Sequence, residues 1–226
     1  MGSNILAVIL FGSFARGDND SESDYDLCVL TQERQSHELN VEQLNKIITD
    51  DRLSGNNPIF YPASAVESML KHGSLFLWHL KQEGKALYGK EYFSNKIKEL
   101  NLFVHHNDDI SYHNELCCDL ISSWKYLNMP NELDLSILFT IARNACMILA
   151  HKFGKPSFGR LSSFVTAKSV FPDLPINFEE YQYLSNWKII YERGMTQEQN
   201  LPTATEFKKI IENIDKLLQF ADAKTH

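Results

Sequence analysis

Two short apolar runs open the chain, and a polar stretch separates them. Ile5 to Phe11 is apolar throughout and stops at Gly12-Ser13; Asp26 to Leu30 resumes the pattern. Runs of this length, bounded by glycine and polar clusters, predict strands. Val41, Leu44, Ile47 and Ile48 then recur at helical spacing, predicting a helix over 38–50. The turn signal Gly55-Asn56-Asn57 precedes a third strand, Pro58 to Tyr61. Ser64 and Glu67 have capping-box spacing and predict a helix start that runs to about His72. A further helical stretch leads from Ser74 to Gly84, a candidate C′ glycine, and Ala86-Leu87-Tyr88 reads as a short edge strand.

From about residue 95 the strand signals stop. Helical patterns cover Asp109 to Leu127, Leu133 to Phe153, Arg160 to Ser169, Phe178 to Arg193 and Glu206 to Phe220. The last carries the stripe Phe207, Ile210, Ile211, Ile214, Leu217 and Leu218, with Thr203 and Glu206 as a capping box. The 133–153 stretch is apolar nearly all round, as the central helix of a bundle would be. The expected fold class is α/β followed by all-α. A mixed sheet with helices occupies 1–93, and a helical bundle occupies 94–226.

The polar stretch between the first two strands holds the candidate chemistry. Asp24 and Asp26 stand two apart at the head of the second run, so in extended chain their carboxylates share a face. Such a pair is a hard oxygen site suited to Mg²⁺, which is commonly held by one or two carboxylates plus substrate phosphates. Gly12-Ser13, where a strand turns, offers close backbone approach and N–H groups for phosphate. A solvated acidic loop of Asp18, Asp20, Glu22, Asp24 and Asp26 explains the acids, but not a Gly-Ser at a strand end.

Gly12-Ser13, Ala15-Arg16-Gly17 and Ser23-Asp24-Tyr25-Asp26-Leu27 together resemble the nucleotidyltransferase superfamily shared with DNA polymerase β. The resemblance is greatest to the minimal nucleotidyltransferases and the antibiotic-modifying kanamycin type. It implies that Asp24 and Asp26 hold metal, that Gly12 and Ser13 hold the outer phosphates, and that Arg16 adds a phosphate contact. It also implies a helix ahead of the first strand, whereas here that strand starts near residue 5. Finally, it implies a third carboxylate on a later strand. Ile59, Phe60 and Tyr61 supply none, and Asp50 and Asp51 precede the turn. The α/β half followed by helices is similar to the layout of antibiotic nucleotidyltransferases, and to minimal nucleotidyltransferases joined to a HEPN-type bundle.

HEPN bundles that cut RNA carry Arg-x(4–6)-His, whereas Arg143 and His151 are spaced Arg-x7-His. Eight positions also turn the two apart by about 80° around a helix. Arg143 therefore reads as a charge needing a carboxylate partner or a phosphate. His105, His106 and His113 near Asp108 and Asp109 match no zinc spacing and read as a solvated helix start. Trp78, Trp124, Tyr126, Tyr181, Tyr183 and Trp187 at helical spacing read as core. Glu83, Glu115 and Glu132 are acids without an assigned role.

Composition narrows the rest. With 226 residues the chain can build one large core or two small ones. The formal net charge of −7 argues against broad nucleic-acid binding, which leaves a basic footprint. No uninterrupted apolar stretch approaches about 18 residues, so no membrane helix is expected. The first apolar run lacks a basic region ahead of it, so no cleaved signal peptide is expected. Cys28, Cys117, Cys118 and Cys146 lack metal spacing and read as reduced cytoplasmic thiols.

The expected activity is Mg²⁺-dependent transfer of a nucleoside monophosphate, AMP from ATP, to a hydroxyl of an antibiotic-like small molecule or of a protein. The alternative is a nucleotide- or partner-binding module that keeps the fold without turnover, because the third carboxylate is missing. The partners expected are a nucleoside triphosphate and the hydroxyl acceptor, with no membrane and no nucleic acid; homodimerisation is left open.

Overall fold

The computed structural model describes residues 4–19, 23–50, 53, 58–127, 129–194 and 200–225. Asp20, Glu22, Asp51 and the Gly55-Asn56-Asn57 turn lie outside the described residues. The chain divides into two compact units, Met1–Val104 and His105–His226. Residues 94–104 thus group with the first unit, beyond the 1–93 expected for it from sequence.

In the first unit, β1 (Ile5–Phe11) is followed by a short helix, α1 (Gly12–Arg16), and then by β2 (Asp26–Thr31). Next come α2 (His37–Ile47), β3 (Ile59–Pro62), α3 (Ala63–His72), α4 (Leu75–Glu83), β4 (Lys85–Tyr88) and α5 (Lys90–Lys96). One turn of 3₁₀ helix, Ile97–Glu99, follows. The sheet order is β3-β2-β1-β4. β1 is antiparallel to both neighbours, and β2 runs parallel to β3 through the crossover that contains α2.

Both faces of the two central strands are covered, which is why β1 is apolar throughout rather than alternating. Ala7, Ile9, Phe11, Cys28 and Leu30 pack with Val66 and Leu70 of α3 and Leu77 and Leu80 of α4. Ile5, Val8, Leu27 and Val29 pack with Leu44 of α2 on the other face. Ile5 joins Val8 despite their odd spacing because the β1–β2 register shifts between Ile5 and Ala7.

Three details differ from the sequence reading. α3 begins at Ala63, with Pro62 as its N-cap residue (φ −68°, ψ 152°), so Ser64 and Glu67 lie inside the helix and form no capping box. Proline's fixed φ ends β3 and launches the helix two residues ahead of the expected Ser64 cap. Gly84 is not left-handed (φ −67°, ψ 132°). It is needed for close approach, since a Cβ there would lie 2.9 Å from Ile9 Cγ2. α2 stops at Ile47, with Ile48 already extended, short of the expected residue 50.

The second unit is helical: α6 (His106–Leu127), α7 (Glu132–Lys152), α8 (Ser162–Val170), α9 (Phe178–Arg193) and α10 (Ala204–Thr225). α7 packs against the other four and buries residues on every side, from Leu135 and Leu138 to Ile148 and Leu149. It is long and apolar enough to cross a membrane by length and composition, yet 67 % of that window is buried inside the unit. That burial is the packing of a central bundle helix. Asn131 and Asp134 start α7 with a reciprocal capping box, and Thr203 with Glu206 starts α10 as expected. Trp187 and Tyr181 are core residues, the latter donating its hydroxyl to the Arg160 carbonyl at 2.9 Å, whereas Tyr126 is exposed. Arg143 donates to the Phe158 carbonyl at 2.6 Å.

The histidines correct the expectation of a solvated helix start. His105 pairs with Asp108 at 3.0 Å, but His106 and His113 are buried. Burial disfavours the imidazolium, so the His113 pKa falls to about 4, and that of His151 falls for the same reason. A depressed histidine pKa makes the unfolded chain the first to take up the proton. Stability is therefore lost as pH falls from about 6.5 toward 4 and levels off below that. The expected slope is at most about 1.4 kcal/mol per pH unit from His113. In a Trp78→Phe background, Trp124 and Trp187 report the helical unit by fluorescence. Urea midpoints at pH 7, 5.5 and 4 should fall steeply, and His113→Phe should flatten the fall; equal slopes would refute the assignment.

Candidate functional site

The candidate site forms where β1 ends beside the start of β2. Their antiparallel ladder pairs Phe11 with Asp26, so the residue after one strand meets the first residue of the other. Gly12 follows Phe11 with φ +72°. A Cβ there would overlap the Asp26 carboxylate oxygen and lie 2.9 Å from its carboxyl carbon. The left-handed backbone and the close approach both favour glycine. The structure thus brings Gly12 and Asp26 into direct apposition.

Gly12 starts α1, where a polar loop was expected. Phe11 as N-cap residue offers no side-chain cap, and the N–H groups of a helix's first turn lack intrahelical acceptors. Ser13 lies in this turn, and its carbonyl accepts from Gly17 and Asp18 at 2.8 and 3.1 Å. Gly17 ends the helix with φ 81°. Phe14 of α1 stacks on Tyr25, rings 14° from parallel with centroids 3.8 Å apart. This contact ties the residue between the two acids to α1. Asp24 is exposed in the segment leading into β2, and Asp26 is half-buried.

Arg16, the expected phosphate contact, is held by acids. Its Nε donates to Asp18 at 3.0 Å and its Nη1 to Glu83 at 2.6 Å. Glu83, the last residue of α4, has a side chain only 8 % exposed, and its Oε2 also bonds His79 Nε2 at 2.9 Å. Burial alone would raise the Glu83 pKa, but the hydrogen bonds and charges of His79 and Arg16 hold it below the ordinary carboxylate range. Burial likewise opposes the Arg16 charge, and Asp18 and Glu83 outweigh it, so its pKa is raised. The network adjoins the acid pair through Phe11, whose ring meets His79 edge-on with centroids 5.5 Å apart.

Sequence reasoning had left Glu83 without a role. Its i, i+4 spacing from His79 was visible, but Arg16 lies 67 positions away along the chain.

Asp26 at the head of β2, close over the Gly12 backbone, and Asp24 two residues before it are oxygen donors of the kind that suits Mg²⁺ shared with phosphates. Among the described residues, no group of three or more His, Cys, Asp or Glu could hold a metal. β3 enters the ladder with Ile59 beside Cys28, and residues 54–57 ahead of it lie outside the described residues. In sequence those four are Ser-Gly-Asn-Asn, with no acid. A cavity of about 440 Å³ lined by Arg34, His37, Asn40 and Phe60 opens beside Thr31, at the far end of β2 from Asp26.

A family model described as polymerase beta, nucleotidyltransferase, matches residues 2–93. The first unit is a polymerase β-like nucleotidyltransferase domain. No curated protein matches the chain. The match covers all four strands, so it coincides with the sheet that carries Gly12 and Asp26. Within this nucleotidyltransferase domain, Gly12, Ser13, Asp24, Asp26 and Arg16 cluster at one end of β1 and β2, and Glu83 joins them from α4.

Gly12→Ala should destabilise the nucleotidyltransferase domain by about 1–3 kcal/mol through the left-handed strain, with a further loss from the clash. In an Asp26→Ala background the clash is gone and the loss should shrink toward the strain alone. Denaturant unfolding of the four proteins checks this. Equal losses in both backgrounds would show that Gly12 and Asp26 are not in contact.

Proposed function

We propose that the protein is a Mg²⁺-dependent nucleotidyltransferase that moves AMP from ATP to a hydroxyl. The observation that carries the reading is the apposition of Gly12 and the Asp26 carboxylate at the end of a matched nucleotidyltransferase sheet. Asp24 and Asp26 would hold the metal, which when bound neutralises phosphate charge and favours the leaving pyrophosphate. Gly12 and Ser13 would hold the β/γ end through backbone N–H groups and the Ser13 hydroxyl. Arg16 has N–H groups beyond those taken by Asp18 and Glu83 and would add charge at the same end. The acceptor hydroxyl would attack the α-phosphorus in line, forming a phosphodiester as the bond to pyrophosphate breaks and the hydroxyl proton passes to solvent. Positioning and charge neutralisation would supply most of the rate.

The acceptor class follows from the resemblance: an antibiotic-like small molecule or a protein side chain. The reading places the reaction in the cytoplasm, where buried Cys28, Cys117 and Cys146 stay as thiols. A second reading draws on the absence of a third acid in a metal-holding group among the described residues. On that reading the domain binds nucleotide or a partner without turnover.

One assay separates the two. The protein is incubated with α-labelled ATP, Mg²⁺ and a panel of aminoglycosides, lincosamides and candidate partner proteins. Label should move to one acceptor, and Asp24→Asn and Asp26→Asn should each lower transfer by roughly 100-fold or more, the scale of losing a charge-stabilising group. ATP binding without transfer to any acceptor would favour the binding module. Absence of Mg²⁺-dependent triphosphate binding would sink both readings.

A further inference from the structure

We propose that Glu83, steadied by His79, is a positioning residue that holds the Arg16 guanidinium at the triphosphate end of the site. The inference rests on the nucleotidyl-transfer reading of that site. α1 is five residues long and ends at the left-handed Gly17, so by itself it fixes the direction of the Arg16 side chain poorly. α4, by contrast, is anchored: Leu77 and Leu80 are buried in the core beneath the sheet. Glu83 closes that helix, one residue from Gly84, which packs against Ile9 of β1. A carboxylate so placed is a fixed point, and His79 one turn earlier bonds the same oxygen.

The donor geometry shows what the fixed point achieves. A guanidinium has five N–H donors in a rigid plane. Asp18 takes the single N–H of Nε, and Glu83 takes one of the two on Nη1. Three N–H groups remain, one on Nη1 and two on Nη2, and the two carboxylates fix the plane in which they lie. The acids therefore orient the fork and leave three donors for phosphate. Arg16 retains 20 % exposure of its side chain, enough to be reached from solvent. Phe11 meets His79 on one side and pairs with Asp26 on the other, so the cation and the acid pair are indexed to the same strand end. Both members of the pair are ionised at neutral pH, as the directions of their pKa values require.

An opposite expectation exists. Glu83 adds negative charge near a polyanion, and simple repulsion would make its removal tighten binding. Ordering of the arginine and repulsion of the phosphate thus predict opposite signs, which makes the experiment decisive.

The test is calorimetric titration of Mg–ATP into the full chain, as wild type, Glu83→Ala, Glu83→Gln, Arg16→Ala and Arg16→Ala/Glu83→Ala, with far-UV circular dichroism of each. Glu83→Ala should weaken binding roughly tenfold, the scale of one charge-assisted hydrogen bond. Glu83→Gln keeps an acceptor oxygen at the same length and should weaken binding only about threefold. In the Arg16→Ala background, Glu83→Ala should change nothing further, because its effect passes through Arg16. A purely structural role would instead lower affinity by the same factor in both backgrounds, and that result overturns the proposal. Unchanged or tighter binding by folded Glu83→Ala overturns it as well. If Glu83→Ala loses its helical signal, Glu83→Gln decides alone: binding equal to wild type overturns the proposal. No binding by wild type removes the nucleotidyl-transfer reading itself, a failure distinct from wild type binding with Glu83 indifferent.

Discussion

In the antiparallel ladder of β1 and β2, Phe11 is paired with Asp26, and Gly12 is the first residue beyond that pair. Everything proposed for the site depends on this register. Side chains alternate across a sheet, so a slip of one residue would exchange the faces of β2. Leu27 and Val29 would leave Leu44 of α2, and Asp26 would leave the face that Cys28 and Leu30 share. The apolar residues therefore place the acid, although none of them has a chemical part to play. Gly12 then determines how near the backbone comes, since any Cβ would strike the carboxylate. Core packing and site geometry are in this sense one constraint.

Arg16, Glu83 and His79 extend that constraint from the sheet to α4. A buried carboxylate without partners is strongly unfavourable, so Glu83 is stable only while both basic groups face it. The pairing makes α1 and α4 interdependent: the helix that begins with the glycine ends with the arginine that α4 holds. Phe14 on Tyr25 closes the other side of the same short helix. α1 is thus pinned by its backbone approach, its stacking ring and its terminal charge, a rigidity that five residues of helix could not supply alone.

Local patterns were legible in the sequence and distant pairings were not. β1 was read with its exact bounds, and so was α9, because each is a long apolar or periodic run closed by polar residues or glycine. The glycine, the two aspartates and the strands beside them stood within 31 residues of the start, and the apposition of Gly12 and Asp26 follows from one hairpin-like pairing. The start of α3 differs because Ser64 and Glu67 mimic a capping box, while Pro62 sets the backbone two residues ahead of Ser64. Glu83 had no visible role because its meaning lies in Arg16, and no periodicity reports a pairing across that distance. His106 and His113 looked solvated because polar residues surround them, yet they occupy the inward side of α6 together with Ile110 and Cys117. Helix facing follows from spacing, and for these two residues the spacing outweighed their polarity.

The plain alternative for the acidic segment is a solvated turn, and the geometry discriminates between its members. Asp18 and Asp24 are exposed, as a solvated turn would leave them. Asp26 is half-buried, starts a central strand and lies over a glycine whose left-handed backbone and close contact disfavour a side chain. A carboxylate there interrupts the apolar face that Cys28 and Leu30 continue, and the residue beneath it holds a left-handed backbone. Departures of this kind from a packing pattern are where binding and catalysis concentrate. The exposed acids alone would not separate the two readings, whereas Asp26 above Gly12 favours a binding site over a turn.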